Sequence, residues 1–210
     1  MPSVLDLTHT ITETMPVYPG SLPPALRQTA TVEQDGFAVT QVSFNTHLGT
    51  HIDAPAHMLE DGATLDKLGA NHFVGMACVI DTTDKTIIER GFLESRAASL
   101  AGCEFLLFYT GWDRFWGQPK YFEEFPVLAP GATRWLAEQG LKGVGFDACS
   151  VDPVGSTQFT NHLVLFKAGM LSIENLTGLA PLVGKRFLFS CLPLKLEAAD
   201  GCPVRAVAIL

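Results

Sequence analysis

The chain has 210 residues, of which 22 are acidic and 14 basic, giving a formal net charge of −8. This length fits one domain, expected over residues 1–210, with a sizeable core and no room for two ordinary domains. The acidic balance argues against a nucleic-acid partner, whose affinity comes from Lys and Arg on phosphates, and the charged fraction of 17%, against roughly 25% in an average soluble domain, points to an oligomer that buries apolar surface between subunits.

The opening hexapeptide, Met1-Pro2-Ser3-Val4-Leu5-Asp6, has neither the basic nor the apolar region of a signal peptide, so the expected location is the cytoplasm. A first strand is expected over Ala38–Leu48. There Val42, Phe44, Thr46 and Leu48 share one parity and Gln41, Ser43, Asn45 and His47 the other, so alternation sends the first set towards a core and His47 to the polar side. A strand over Met76–Asp81, a helix near Phe92–Leu100 and a strand over Glu104–Tyr109 follow. Even the apolar run Phe105-Leu106-Leu107-Phe108 is far too short to span a membrane. Trp112, Phe115, Trp116, Tyr121 and Phe122 form an aromatic loop whose first reading is core or interface packing, with a substrate wall as the lesser one.

A helix over Pro130–Gln139 carries Ala132, Trp135 and Leu136 on one stripe and has Gly140 as its C-terminal cap. After a strand over Gly143–Phe146, Thr160 is placed as the N-cap of a helix over Asn161–Ala168 that stops at Gly169. The last strands are Met170–Glu174, Arg186–Ser190 and Val204–Ile209. These strands are short and rich in Val, Ile, Leu and Phe, as buried strands are, and their mixture with helices predicts an α/β domain with substantial sheet. The five cysteines (78, 103, 149, 191 and 202) form no CxxC pair, which fits free thiols in a reducing compartment.

The chemistry concentrates in His47-Leu48-Gly49-Thr50-His51-Ile52-Asp53-Ala54-Pro55-Ala56-His57, which holds three of the six histidines. Gly49 and Pro55 exclude a helix, and in an extended segment the shared parity of His47, His51, Asp53 and His57 puts all four on one side. Gly49 also lets the backbone turn so that His47 and His51 close on one ion. Imidazole nitrogen with carboxylate oxygen suits borderline divalent ions such as zinc or manganese. The bland alternative is a strand edge rich in histidine by chance. Downstream, His162 in the first turn of a helix and Glu174 at the end of the next strand form a second pair. On spacing alone, residues so placed are more often on the surface. Asp147 and Asp152 read as turn-formers, and His9 and His72, with no partner in sequence, as structural residues.

The segment HLGTHIDAPAH resembles the HxGTHxDxPxH signature of the metal-dependent cyclase family, which includes kynurenine formamidases (arylformamidases) and isatin hydrolases. Asp6-Leu7-Thr8, Pro16-Val17-Tyr18-Pro19-Gly20, Thr110-Gly111-Trp112, Gly145-Phe146-Asp147 through Ser150-Val151-Asp152, and Ile173-Glu174-Asn175-Leu176 are similar in order and spacing to the family's other segments. The resemblance implies a swivelling β/β/α domain with a mixed, partly barrel-like sheet, assembled into homodimers or homotetramers. It implies one or two Zn²⁺ or Mn²⁺ ions per chain, the first held by His47, His51 and Asp53. Asp53 would bridge to the second, held also by His162 and Glu174, and His57 would act as general acid and base. The family's formamidases often carry Trp in a PVWPGD-like segment, where it lies against the aromatic substrate. This chain has Tyr18 there, in Pro16-Val17-Tyr18-Pro19-Gly20-Ser21, and the resemblance implies that Tyr18 stacks on the substrate ring, a change that bears on the substrate and not on the chemistry.

The implied reaction is hydrolysis of an amide-type C–N bond in a small molecule, either an N-formyl aromatic amide such as N-formylkynurenine or a cyclic amide, in the manner of an arylformamidase. Two other readings share the motif. One is a mononuclear iron oxygenase using His51-Ile52-Asp53 as part of a 2-His-1-carboxylate triad, which does not require His47 and His57 as well. The other is a metal-binding protein without catalysis.

Overall fold

Runs of alternating or continuous apolar residues become strands wherever a second layer covers them. In a computed structural model, which describes residues 3–210 and so leaves Met1 and Pro2 of the opening hexapeptide outside the described residues, the strands are thirteen. They are β1 (Val4–Asp6), β2 (Ala25–Ala30), β3 (Val39–Ser43), β4 (His51–Asp53), β5 (Val74–Asp81), β6 (Ile87–Ile88), β7 (Phe105–Tyr109), β8 (Val127–Leu128), β9 (Gly143–Phe146), β10 (Leu171–Glu174), β11 (Arg186–Ser190), β12 (Gly201–Pro203) and β13 (Val207–Ile209). The helices are α1 (Val32–Asp35), α2 (Arg90–Glu94), α3 (Ala97–Leu100), α4 (Pro130–Ala137) and α5 (Thr160–Lys167). None of the described helices is long and apolar enough to cross a membrane.

Nine strands form one mixed sheet in the order β1-β13-β11-β5-β7-β9-β10-β4-β12. The central pairs β5/β7, β7/β9 and β9/β10 are parallel, with helices in the connections, and the flanking pairs are antiparallel. β12 and β13 lie seven inter-strand spacings apart in this order, which is about 34 Å in a flat sheet. The chain nevertheless passes from Pro203 to Val207, a reach of at most about 14 Å. The sheet must therefore curl until its two ends approach each other. This is the expected swivelling α/β architecture with a partly barrel-like sheet.

Two cores result from the alternation. Phe105 and Leu107 of β7 join Ile52, Ala77, Val79, Ile173, Phe187, Phe189 and Ala208 inside the curl. Leu106 and Phe108 point the other way and pack with Phe146 against Trp135 and Leu136 of α4 and Leu165 and Phe166 of α5.

Several sequence expectations are corrected. The strand expected over Ala38–Leu48 stops at Ser43 and pairs with β2 in a separate hairpin, with every residue of β3 exposed. Val42 is 47% exposed, so its parity marks no core, because alternation reports burial only where one face is covered. The expected Val204–Ile209 strand is split, its first part replaced by β12, because the chain crosses there between the two ends of the sheet. The helix expected near Phe92–Leu100 breaks into α2 and α3 at Ser95-Arg96, where the Ser95 hydroxyl donates to the Phe92 carbonyl and Arg96 leaves helical geometry. Thr160 is the first residue of α5 and not its N-cap. Phe159 occupies that position in the left-handed region at φ 44°. The cap of α4 is Glu138, and Gly140 closes the following turn at φ 72°.

A tight crossing positions the end of the histidine motif. The turn through Gly62 folds back on Pro55–His57, and the Ala56 amide donates to the Ala63 carbonyl at 3.2 Å. A Cβ on Gly62 would lie 2.4 Å from the Pro55 carbonyl carbon, a clash that only backbone movement relieves. Gly62→Ala is expected to cost about 1–3 kcal/mol and to lower the thermal midpoint by several degrees. A melting curve that superimposes on the wild type would show that this crossing is slack.

Candidate functional site

β4 carries the centre of the site. Ile52 is fully buried in the core inside the curl, so alternation turns His51 and Asp53 to the opposite face. β10 lies antiparallel beside it with Glu174 directly opposite His51, and β12 lies on its other side with Gly201 opposite Asp53. Gly49, at φ 58°, turns the preceding backbone so that His47 returns over the strand. The absence of a side chain at Gly201 makes room for that ring, since a Cβ there would sit 2.5 Å from His47 Cε1. Past Pro55 the chain enters a short 3₁₀ turn that presents His57, so the parity expected to align four residues holds only for His51 and Asp53. The first turn of α5 delivers His162.

These elements bring together every residue anticipated from the motif. His47 Nδ1 lies 2.6 Å and His51 Nε2 3.2 Å from Asp53 Oδ1. On the other carboxylate oxygen, Asp53 Oδ2 is 3.8 Å from His162 Nε2, which in turn is 3.1 Å from Glu174 Oε1. Three groups of donor atoms, His47/His51/Asp53, Asp53/His162/Glu174 and His47/His57/Asp200, are each compact enough to hold an ion, and Asp53 belongs to the first two, which are the more buried. Asp53 and Glu174 are buried, and among the described residues their ion-pair partners are all histidines. Two buried carboxylates with no Lys or Arg beside them, and imidazole nitrogens aimed at them, are a donor set that a divalent cation fits.

The electrostatics agree. Burial disfavours a charged His47, but the carboxylates of Asp53 and Asp200 outweigh it and raise the ring to about 9. At His162 burial is likewise outweighed by hydrogen bonds to Asp152 and Glu174, and its value rises to about 10. Burial alone would raise the Asp53 carboxyl, yet His51 and His47 hold it well below the usual carboxylate range. The field at this point favours positive charge. His57 differs: burial lowers it, with His47 and His162 adding to the effect against the pull of Asp53.

Each of the three inner histidines has its remaining ring nitrogen held by a fixed acceptor. His51 Nδ1 donates to the Gly49 carbonyl at 2.8 Å, His162 Nδ1 to Asp152 Oδ2 at 2.8 Å and His47 Nε2 to Asp200 Oδ2 at 2.9 Å. Such outer acceptors set the tautomer and leave the inner nitrogen's lone pair facing the site. Asp152 also receives the amides of Asn161 and His162 at the start of α5, so it orients His162 as well as shaping the turn. Asp200 reaches His57 Nδ1 at 3.4 Å and accepts from the Thr46 hydroxyl at 2.9 Å. Sequence reasoning missed Asp200, which is 153 positions from His47 and carries no local signal. Asp152 was legible only as a turn-former.

A cavity of about 430 Å³ opens over these residues. Tyr18, anticipated as a stacking residue, lines it with Val17, Met58 and Phe159. The aromatic loop divides between the two readings given to it. Trp116 and Phe122 line the cavity, while Tyr121 is fully buried and its hydroxyl donates to Asn175 Oδ1 at 2.7 Å. His9 stacks on Trp116 with ring centroids 3.9 Å apart, and burial lowers its pKa to about 4. His72 is exposed and bonds the Gly69 carbonyl within its own turn. Asp147 is buried between β7 and β9, where it accepts from the amides of Thr110 and Gly111.

Comparison with known proteins places this geometry. The Cyclase family model matches residues 5–153. The kynurenine formamidase of Geobacillus thermodenitrificans is 34% identical over 203 residues, covering 96% of this chain and 95% of its own. Isatin hydrolase A from Labrenzia aggregata superimposes with a TM-score of 0.90 at 23% identity, over 100% of this chain and 94% of that one. A structure described as a potential metal-dependent hydrolase with cyclase activity is 31% identical with a TM-score of 0.82, over 100% of this chain and 98% of that one. On the extent of the family match and the full-length identity to these relatives, the chain belongs to the Cyclase family.

Proposed function

We propose that this protein is a metal-dependent hydrolase that cleaves an amide-type C–N bond in a small aromatic molecule, either an N-formyl amide or a cyclic amide. One observation carries the reading: a buried carboxylate, Asp53, is shared by two sets of His and carboxylate donors at the floor of an aromatic cavity. The relatives named kynurenine formamidase and metal-dependent hydrolase support it. A mononuclear triad would leave His162 and Glu174 without a role, although they complete the same cluster. The test is elemental analysis of the purified protein, followed by an amide panel that includes N-formylkynurenine.

His47, His51 and Asp53 would hold one ion, and Asp53, His162 and Glu174 a second, with zinc or manganese favoured by nitrogen and oxygen donors without a thiolate. When bound there, such an ion lowers the pKa of water to about 7 and stabilises negative charge developing on a carbonyl oxygen. The residues of the chain do the rest. Asp152, Asp200 and the Gly49 carbonyl keep the imidazoles in one tautomer and orientation. His57 lines the cavity next to the cluster, takes a proton from the attacking water and returns it to the leaving nitrogen. Its lowered pKa keeps it neutral, and so competent as a base, at pH 7. Trp116, Phe122 and Tyr18 pack on the aromatic part of the substrate and keep bulk water away.

Removal of metal by a strong chelator is expected to abolish activity, and added zinc or manganese to restore it. Asp53→Ala should empty both sites and Glu174→Ala only one, read as metal per chain. Unchanged metal content and rate in Glu174→Ala would leave a single-ion site.

His57→Ala should keep its metal and lose roughly 10²–10⁴-fold in kcat, the usual worth of a positioned proton-transfer group. Asp200→Ala should instead weaken metal binding by about 10–100-fold, because His47 loses the acceptor that orients it. Since the base form of His57 is the active one, the acid limb of the wild-type kcat/KM profile should fall as pH drops through a value below about 6.5. Loss of metal from His57→Ala would make that residue a ligand.

The working assembly is proposed to be a homodimer or homotetramer. The hairpin of β2 and β3 supports this, since two strands alone are marginal in water and this pair exposes Phe37, Val39 and Val42 around it. A second copy of the chain would cover that surface. Light scattering should give a mass of two or four chains, and a single-chain mass at micromolar concentration would refute it.

A further inference from the structure

The histidines and carboxylates that line the cavity are His47, His51, Asp53, His57, His162 and Glu174, and all belong to the cluster at its floor. The rest of the wall is uncharged. Val17, Tyr18, Met58, Trp116, Phe122 and Phe159 supply apolar surface, and the remaining polar groups there, such as Ser21, Ser150 and Asn175, are neutral. No Lys or Arg of the described residues lines it. The cations of the aromatic loop, Arg114 and Lys120, lie 4.7 and 4.6 Å from the centroid of the Phe115 ring, and neither faces the cavity. The wall is also held in place. Trp116 is stacked on His9 at an interplanar angle of 5° and meets Tyr121 edge-on at 5.0 Å. Phe159 stands ahead of α5 with a left-handed backbone at φ 44°, a conformation rarely adopted by a bulky residue.

We infer that this cavity selects uncharged aromatic amides, N-acyl anilines or fused-ring cyclic amides, and discriminates against those that carry a carboxylate on the ring. The inference rests on the hydrolase reading above and narrows its substrate class. A ring laid between Tyr18 and Trp116 exchanges water for apolar contact, which is favourable. A carboxylate on the same ring loses its hydration and meets no cation in return, in a protein whose formal net charge is −8. A neutral polar substituent of the same shape pays a smaller desolvation cost, and the hydroxyls of Ser21 and Ser150 suit it. The residues that would hold a cation are at the floor, beside the reacting end of a bound amide and away from its distal substituent.

The test compares 3-formamidobenzamide with 3-formamidobenzoate on the metal-loaded protein. The two differ at one substituent, of the same shape, which is neutral in the first and charged in the second. The expected result is a kcat/KM at least about tenfold higher for the carboxamide, carried mainly by KM, since the lost interaction is one of binding. Tyr18→Arg, which places a cation on the wall, should narrow that ratio. A wild-type ratio near one, or one favouring the carboxylate, overturns the inference and leaves the hydrolase reading intact. If the metal-loaded protein turns over neither compound, the N-formyl arm of the hydrolase reading falls and the cyclic-amide arm is left. Calorimetric titration with the same two compounds then decides the charge preference on its own: tighter binding of the carboxamide upholds it, and equal binding refutes it.

Discussion

Asp53 places a carboxylate where almost no water reaches it, on a strand with neighbours on both sides. An isolated charge in such a position would take up a proton, so the fold must supply positive charge or lose the ionised form. The chain does so with imidazoles alone. His47 and His51 approach one oxygen, and His162 approaches the other from a helix more than a hundred residues further on. Those imidazoles are themselves held from outside by Asp152, Asp200 and a backbone carbonyl. The outcome is a layered arrangement of acceptor, imidazole and carboxylate that stays in register only while the strands and the start of α5 hold their places.

The curl of the sheet makes this arrangement possible. In a flat sheet β12 would be an edge far from β13, and Asp200 and Gly201 would not arrive beside His47. Curling brings the C-terminal segment across β4, and Gly201 accepts the His47 ring because it has no side chain. The same topology leaves the cluster at the floor of a cavity whose upper wall comes from loops. Those loops draw on Tyr18 near the N-terminus, the aromatic loop and the approach to α5. Chemistry is thereby assigned to residues of β4 and β10, the turns that flank β4 and the start of α5, and recognition to residues of the outer loops, which are freer to vary.

The charge distribution follows from the same division. Every histidine and carboxylate of the cavity serves the floor, and the wall is apolar or neutral. A site of this type concentrates its electrostatics on the reacting centre, where charge develops in a water-poor environment, and leaves the distal pocket to shape and apolar burial.

The sequence by itself determined the elements whose signals are local. The strands over Gly143–Phe146 and Arg186–Ser190 were legible to the residue, because continuous or alternating apolar runs bounded by turn residues have one stable arrangement. The motif from His47 to His57 was legible because its histidines and aspartate crowd a segment that glycine and proline keep out of a helix. His162 and Glu174 were visible as candidates, but spacing gave no reason to bring them to Asp53. Only the tertiary structure decided that, through the antiparallel register of β10 on β4 and the entry of α5. It also decided the role of Asp200, which depends on curvature of the sheet, and the exposure of β3, whose alternating pattern has no covering layer. In each case the deciding interaction joins residues far apart in the chain, and the free energy that selects it is that of packing and charge burial in the assembled sheet, to which the preferences of neighbouring residues contribute nothing.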